Sequence, residues 1–389
     1  MKIALVADED PGWGGIGTYT GVLGHALAEL GHDVRLVLRG WEGEGVERID
    51  GLLVHRVTVP EPHWYRGTVA ITTRLYVARQ SLIFSARVAR VLARISPDIV
   101  EAPEFHAPAL TATLRARVGR RSPAVVVRLH APSFVTARLA REPPNLDQRA
   151  GEVLEAASVH CARLVTAPSR ALATIVARRW HLASTRVQVI PNPIDDDLFA
   201  PSSQDAETQG RILVVGRIER AKGQDLLIEA LPEIRRVVPE AHLLVVGADG
   251  GSLAELERRA SALGLQEAIR FTGARERRSL PSFYRSASVC VVPSRFEAFS
   301  YTALEAMACG KAVLAARVGG LAEVIDDEKD GILIEPESPP ALAEQITRML
   351  LDAPQRARLG RAARVRVLHS FAARAVAAEM VQHYAKAIR

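Results

Sequence analysis

Short apolar runs alternate with helical segments along this chain, and the alternation starts twice. KIALVAD (residues 2–8), HDVRLVLRG (32–40), LLVHRVTV (52–59), PDIVEAP (97–103), AVVVRLH (124–130), RLVTAPS (163–169) and VQVIPN (187–192) read as strands. Helices are expected near 15–30, over about 68–95, and near 147–161 and 170–180. The pattern restarts with RILVVGR (211–217), HLLVVGADG (242–250), AIRFTGA (268–274), SVCVVPS (288–294), KAVLAA (311–316) and GILIE (331–335), with a helix over Gln224–Val237. Continuous apolar strands separated by helices imply parallel sheets covered on both faces. The 389 residues exceed what one core usually serves. Between the runs, PNPIDDDLFAPSSQDAETQG reads as linker, because Pro, Asp and Ser interrupt both periodicities. The expected fold is α/β: two Rossmann-like, doubly wound parallel-sheet domains joined near residues 196–208, with a cleft between them. In such sheets ligands bind beyond the carboxyl ends of the strands, so chemistry is sought in the loops that follow strands.

Composition narrows the functional classes. Cys161, Cys290 and Cys309 are far apart and odd in number, which argues against a disulfide framework or a structural zinc and fits a reducing cytoplasm. The first residues, MKIALVADED, lack the length and cleavage site of a secretory signal, and no apolar run approaches the roughly 20 residues of a membrane span. The expectation is a cytoplasmic protein. Its net charge of +6 is lopsided: residues 1–195 hold 24 Lys+Arg against 18 Asp+Glu, leaving 26 of each for the remainder. Residues 62–130 alone carry eleven arginines against Asp98, Glu101 and Glu104. Solvated helix faces account for this first. An anionic acceptor, or peripheral contact with anionic lipid at the inner membrane face, is the sharper reading. The segment 72–95 is amphipathic and basic, although core packing is its ordinary role. Nucleic acid is excluded as a partner, since no aromatic-interleaved basic strand or recognition helix accompanies the charge.

Two loops carry candidate chemistry in the second half. Gly216–Gly223 (GRIERAKG) links a strand to a helix and places Arg217 and Lys222 five residues apart, where a guanidinium fork and a mobile ammonium can converge on one anion. A solvated basic loop would look the same, so this loop alone decides nothing. The second segment, Ser294–Gly310 (SRFEAFSYTALEAMACG), follows a strand and opens a helix near Ser300 or Tyr301. The first amides of such a helix are unpaired and sit at the positive end of its dipole, which suits a diphosphate. Glu297 precedes the helix and Glu305 lies within it, eight positions later. Carboxylates at those places suit sugar hydroxyls and a ribose diol. Glu305 lies among Ala303, Leu304, Ala306, Met307 and Cys309, and a carboxylate in such an apolar stretch needs a partner, for which a bound diol would serve.

The segment EAFSYTALEAMACGKAV resembles the donor motif of retaining glycosyltransferases of family four, which have the GT-B architecture. The resemblance covers nearly the whole chain: VVGRIERAKG, IPNPID (190–195), SFYRSASVCVVPSRFE (282–297) and Gly319-Gly320 followed by VIDDEKDGILI match the same pattern. It implies an acceptor-binding domain over 1–195, a nucleotide-sugar domain over 196–371, and a helix at 372–389 crossing back to the first. It implies that Arg217 and Lys222 neutralise the donor diphosphate, aided by Gly15 and by amides near Ser300, Tyr301 and Thr302. Glu297, Ala298, Phe299, Ser300 and His130 would lie at the transferred sugar. Glu305, Gly247 and Arg275 would lie at the nucleoside. The family usually has glycine on both sides of the Phe, where this chain has Ala298 and Ser300, and proline where Ala312 stands.

In the first half, Trp13–Tyr19 (WGGIGTY) follows the first strand. Alone it fits a tight turn as well as a nucleotide loop, but it resembles the family's Gly-Gly acceptor loop. Gly14, Gly15, Tyr19, Glu104 and His106 are the acceptor-side candidates, and His130 ends a strand where the family often has a His beside the sugar. A cluster of His63, Trp64, Tyr65 and Arg66 could line an acceptor pocket or a surface loop. Asp195–Asp197 reads as a solvated acidic turn, and no metal or other cofactor is expected.

The implied reaction moves a hexose from a UDP- or GDP-sugar to a hydroxyl on a small molecule, lipid-linked glycan or polysaccharide. It proceeds with retention through a front-face path, and domain closure assembles the site. The alternatives are a GT-B phosphorylase or synthase using a sugar phosphate, a non-catalytic nucleotide-sugar module, and, more distantly, a dinucleotide-dependent oxidoreductase.

Overall fold

The structure is a computed structural model that describes residues 1–41, 43–59, 75–119, 122–140, 144–202 and 204–389. It divides into two compact units: Met1–Pro193 with Ala373–Arg389, and Ile194–Ala372. The cluster at 63–66 lies outside the described residues.

The first unit is built on strands β1 (Lys2–Ala7), β2 (Asp33–Arg39), β3 (Gly45–Ile49), β4 (Leu52–Val57), β5 (Ile99–Pro103), β6 (Ala124–Arg128), β7 (Leu164–Ala167) and β8 (Val187–Val189). They form one sheet in the order β3-β4-β2-β1-β5-β6-β7-β8. Every pairing is parallel except β3 with β4. Strand β3 was not foreseen, and its composition explains why: GVERI is almost wholly exposed and carries no apolar pattern. The signal lay in the turn, since Asp50 and Gly51 both take positive φ (46° and 87°), as a two-residue hairpin requires.

The second unit carries β9 (Arg211–Val215), β10 (His242–Val246), β11 (Ile269–Phe271), β12 (Val289–Val292), β13 (Val313–Ala316) and β14 (Ile332–Ile334), all parallel, in the order β11-β10-β9-β12-β13-β14. Both faces are covered. Ile212 and Val214 of β9 join a core with Leu227, Leu231 and Ile346, while Leu213 between them joins another with Leu304 and Met307. The inner strands therefore read as nearly unbroken apolar runs, while the edge strand β11 exposes Arg270.

The strand order reverses between β1 and β5 in the first unit and between β9 and β12 in the second. Loops leaving neighbouring strands in opposite directions open a crevice at such a point. The loops after β1, β5, β9 and β12 hold most of the candidate residues, while His130 follows β6, Gly247 follows β10 and Arg275 follows β11.

The stretch read as linker is packed instead. The Ile194 N–H bonds Phe371 O at 2.9 Å, Phe199 is fully buried edge-on to Tyr284, and Arg364 donates to the carbonyls of Asp196 and Phe199. The Pro, Asp and Ser residues hid two apolar anchors. The helix Ala373–Ile388 buries Val376, Met380 and Tyr384 within the first unit. Among the described residues no helix is long and apolar enough to cross a membrane.

Candidate active site

In the second unit the loops after β9 and β12 are tied together. Arg295, nearly buried, donates both terminal nitrogens to the Asp225 carboxylate at 2.8 Å and one of them to Arg220 O, and its N–H bonds Ala221 O. The Gln224 amide holds Arg217 O at 2.8 Å. On this frame Lys222 Nζ lies 2.8 Å from Glu297 Oε1, and Ser294 Oγ donates to the same oxygen at 2.8 Å. Arg217 is 70% exposed and pairs with Glu219 at 3.2 Å. The sequence reading brought Lys222 and Glu297 to one site but passed over Arg295 and Asp225, which hold the two loops in place.

Glycines shape the same loop. A Cβ on Gly319 (φ 47°) would lie 2.1 Å from Glu297 O, and one on Gly320 would lie 2.4 Å from Ala298 O. The Gly320 N–H bonds Glu297 O at 2.8 Å, so the Gly-Gly pair clasps the backbone that carries Glu297.

The helix Tyr301–Ala308 begins at Ser300, whose hydroxyl accepts from Ala303 N at 3.4 Å and bonds Thr302 Oγ1 at 3.1 Å. Ser300 has φ 137°, a conformation glycine adopts freely and other residues hold only under strain of about 1–3 kcal/mol. That accounts for the family's glycine here and marks Ser300 as a strained cap. Phe299 is buried edge-on against Phe371, leaving only its backbone toward the loop. Ala298, Tyr301 and Thr302 are partly exposed.

Glu305 joins a separate cluster. It is 2% exposed, ion-paired to Arg277, and accepts from Tyr284 Oη at 2.7 Å. Burial and the adjacent carboxylate push the Tyr284 hydroxyl well above its ordinary range, so it stays a donor. The partner that such a buried carboxylate needs is present within the unit, in Arg277 and Tyr284. Arg275, expected on the nucleoside, is exposed. It is Arg277 that reaches Glu305, its guanidinium 4.7 Å from the Phe199 ring centre and 5.9 Å from that of Tyr301. Gly247 is required by close packing, since a Cβ there would lie 1.9 Å from Gly216 O.

In the first unit Gly14 and Gly15 open the helix Gly14–Glu29, and both are exposed. Glu9 covers that N-terminus, with Oε2 accepting from Gly17 N at 3.1 Å, which puts a carboxylate beside the amides expected to meet a diphosphate. Two acceptor-side expectations are corrected by burial. Glu104 is fully buried and accepts the His130 N–H on both oxygens at 2.9 Å. Tyr19 is 3% exposed, its hydroxyl donating to Glu101 and its ring edge-on to the His130 ring at 5.0 Å. Both side chains lie under the site rather than facing a ligand.

Burial and the neighbouring Glu155 raise Glu104 to about 8, while burial and Arg128 press the half-buried His130 down to about 3. His130 is thus a neutral imidazole at physiological pH. Glu155, also fully buried, accepts from the N–H groups of Ser133 (2.9 Å) and His106 (3.2 Å) and from the Ser133 hydroxyl. His106 and Ala107 both take positive φ (60° and 47°), a strained pair stabilised by that carboxylate and by the Ala107 N–H bond to Glu104 O. The partly exposed His106 ring stacks on Phe105 and lies 3.4 Å from Asp8. Among the described residues no group of three or more His, Cys, Asp or Glu side chains could hold a metal ion.

Comparison with known proteins matches residues 195–366 to the family described as glycosyl transferases group 1, and residues 13–198 to Glycosyltransferase Family 4. The D-inositol 3-phosphate glycosyltransferase of Xylanimonas cellulosilytica is 33% identical over 268 residues, 64% of this chain. That alignment spans 63% of the relative, less than two thirds of its length. D-inositol 3-phosphate glycosyltransferase 2 of Catenulispora acidiphila is 31% identical over 372 residues, covering 88% of this chain and 83% of the relative. Among solved structures, sucrose-phosphate synthase of Thermosynechococcus elongatus superposes with a TM-score of 0.81 at 25% identity, covering 99% of this chain and 98% of that one. The fold is GT-B, and the chain belongs to glycosyltransferase family 4.

Proposed function

We propose that this protein transfers a hexose from a UDP- or GDP-sugar to a hydroxyl acceptor in the cytoplasm, with retention of anomeric configuration and without a required metal ion. The observation that carries this reading is the meeting of Lys222 and Glu297 where the strand order of the second unit reverses, with Arg217 on the same loop. As the anomeric C–O bond breaks, charge grows on the β-phosphate. Lys222, Arg217 and the amides at the start of the helix Tyr301–Ala308 supply fixed positive potential for it. A departing phosphate that takes the acceptor proton needs no protein nucleophile. Glu297 on the sugar hydroxyls would exchange its Lys222 contact for those of the donor. The neutral imidazole of His130 can donate to or accept from a sugar hydroxyl.

The relatives named for D-inositol 3-phosphate and sucrose phosphate share a phosphorylated polyol in their names. A phosphate-bearing polyol also suits the positive excess of residues 1–195, so we assign the acceptor to that class. Contact with anionic lipid through the same surface is part of this reading, and vesicle sedimentation at two salt concentrations tests it.

The test is a thermal-shift panel of nucleotide diphosphates and nucleotide sugars on wild type and the double variant Arg217→Ala, Lys222→Ala, with and without EDTA. One nucleotide should stabilise the wild type, EDTA should leave that shift intact, and the variant should lose it. Stabilisation by a sugar phosphate and by no nucleotide would turn the reading to a phosphorylase. An inverted product by anomeric-proton NMR would remove the retaining assignment.

A further inference from the structure

The helix Ala373–Ile388 brings one polar side chain into the interior of the first unit. Tyr384 is fully buried, and its hydroxyl donates to Glu101 Oε2 at 2.6 Å, joining residues 283 positions apart. The other oxygen of that carboxylate, Oε1, accepts from Tyr19 Oη at 2.7 Å. The Tyr19 ring lies 5.0 Å from the His130 ring, edge-on at 75°, and 4.8 Å from the Arg128 guanidinium. Arg128 Nη2 in turn donates to Ile190 O at 2.8 Å and Asn192 Oδ1 at 2.6 Å. Glu101, Arg128, Tyr19, Tyr384 and Asn192 are each at most 4% exposed.

Such an arrangement is not needed to hold the helix. Val376, Ala377 and Met380 already bury its inner face, and apolar residues in place of buried charges are often neutral or stabilising. What the polar chain does is immobilise the Tyr19 ring. The main chain of His130 is fixed separately, by Glu104, so the remaining freedom of His130 is rotation of its side chain, and the Tyr19 ring packs against that imidazole.

We propose that Tyr384 is a positioning residue for His130, acting through Glu101 and the Tyr19 ring, so that the last helix of the chain completes the sugar-side face of the first unit. This rests on the reading of His130 as the residue beside the transferred sugar. Tyr384 touches no reacting group. It orients one that does, and small displacements of such a group cost turnover far more than binding.

The test uses the full chain, with histidine ring resonances assigned by loss of one set in His130→Gln. Tyr384→Phe keeps the ring and removes one hydrogen bond. It should move the His130 ring signals, leave the thermal shift by nucleotide diphosphate unchanged, and lower kcat roughly 10- to 100-fold with donor KM retained. Unmoved His130 signals overturn the proposal even if stability falls, because the helix would then be an anchor and no more. Moved signals with unchanged kcat overturn it as well. Should Tyr384→Phe fail to fold, Tyr19→Phe removes the other hydroxyl from Glu101 and is judged by the same signals. If the wild type transfers sugar from no donor that binds it, the transferase reading falls, while the His130 signals still decide whether Tyr384 sets that ring.

Discussion

The two units use charge in opposite ways. In the second, the groups read as binding the donor lie at or near the surface in exchangeable pairs: Arg217 with Glu219, and Lys222 with Glu297. In the first, Glu101, Glu104, Arg128 and Glu155 are buried and hold backbone or other side chains, leaving mainly His130 and His106 partly exposed above them. A site that must take up and release a diphosphate is served by cations whose present partners a ligand can replace. A site that must orient a neutral imidazole is served by groups that cannot move. The second unit also keeps pairs away from solvent, Arg295 with Asp225 and Arg277 with Glu305, and the latter, with its fully buried carboxylate, is the sharpest place to break the comparison.

The largest effect is expected there. Arg277→Met should lower the stability of the second unit by about 3–5 kcal/mol, because it leaves the Glu305 carboxylate buried with Tyr284 alone. Denaturant unfolding measures this. The double variant Arg277→Met, Glu305→Leu should recover most of the loss, whereas no recovery would show that Arg277 acts through its aromatic neighbours Phe199 and Tyr301. Next is Lys222→Ala, expected to cost about 10²–10³ in kcat while changing stability by about 1 kcal/mol or less, as suits a partly exposed pair. A large stability loss with retained turnover would place Lys222 with the buried pairs and erase the distinction.

A smaller effect reports on the first unit through pH. Folded Glu104 keeps its proton to about pH 8, while the unfolded carboxyl loses it near 4.5, so stability declines as pH rises between them. His130 works in the other direction: the unfolded imidazole charges below about 6.5 and the folded one only near 3, so stability declines as pH falls through that range. Between pH 6.5 and 8 the Glu104 contribution is no longer opposed by that of His130. Melting temperatures should therefore fall over this window, and Glu104→Gln should flatten the slope. A slope that Glu104→Gln leaves unchanged would mean that Glu104 is already ionised. The smallest effect is expected for Gly15→Ala, whose Cβ meets nothing within 4 Å and whose stability should change by about 0.5 kcal/mol or less. Gly247→Ala is its counterpart, blocked by Gly216 O, and calorimetry on the pair separates a glycine kept for space from one that packing does not require.

Much of this was legible in the residues. Strands β9 to β14 all lie within the apolar runs read for them, because a strand covered on both faces is largely apolar and keeps that signature without its neighbours; only the edge strand β11 carries an exposed residue, Arg270, at its centre. Lys222 and Glu297 were each singled out, on different motifs that both follow strands, but their contact with one another was not foreseen. Strand β3 was missed because an exposed edge has no hydrophobic signature, and Ile194 and Phe199 because polar neighbours masked two anchors. The partners of Glu305 could not be read from the helix that carries it, because Arg277 and Tyr284 come from 28 and 21 positions earlier.

Local pattern therefore suffices for what is repeated or contiguous: the alternation of strand and helix, the loop that follows each strand, the glycine where a backbone must pass closely. Long-range pairing is another matter, because a buried carboxylate takes whichever donor the fold delivers, however distant in the chain. Glu101 is the case in point. Its neighbours in sequence do not reveal that Tyr384 would close over it, and only the packing of the helix Ala373–Ile388 against the helix Gly14–Glu29 and β6 brings this second donor to a carboxylate that Tyr19 already meets.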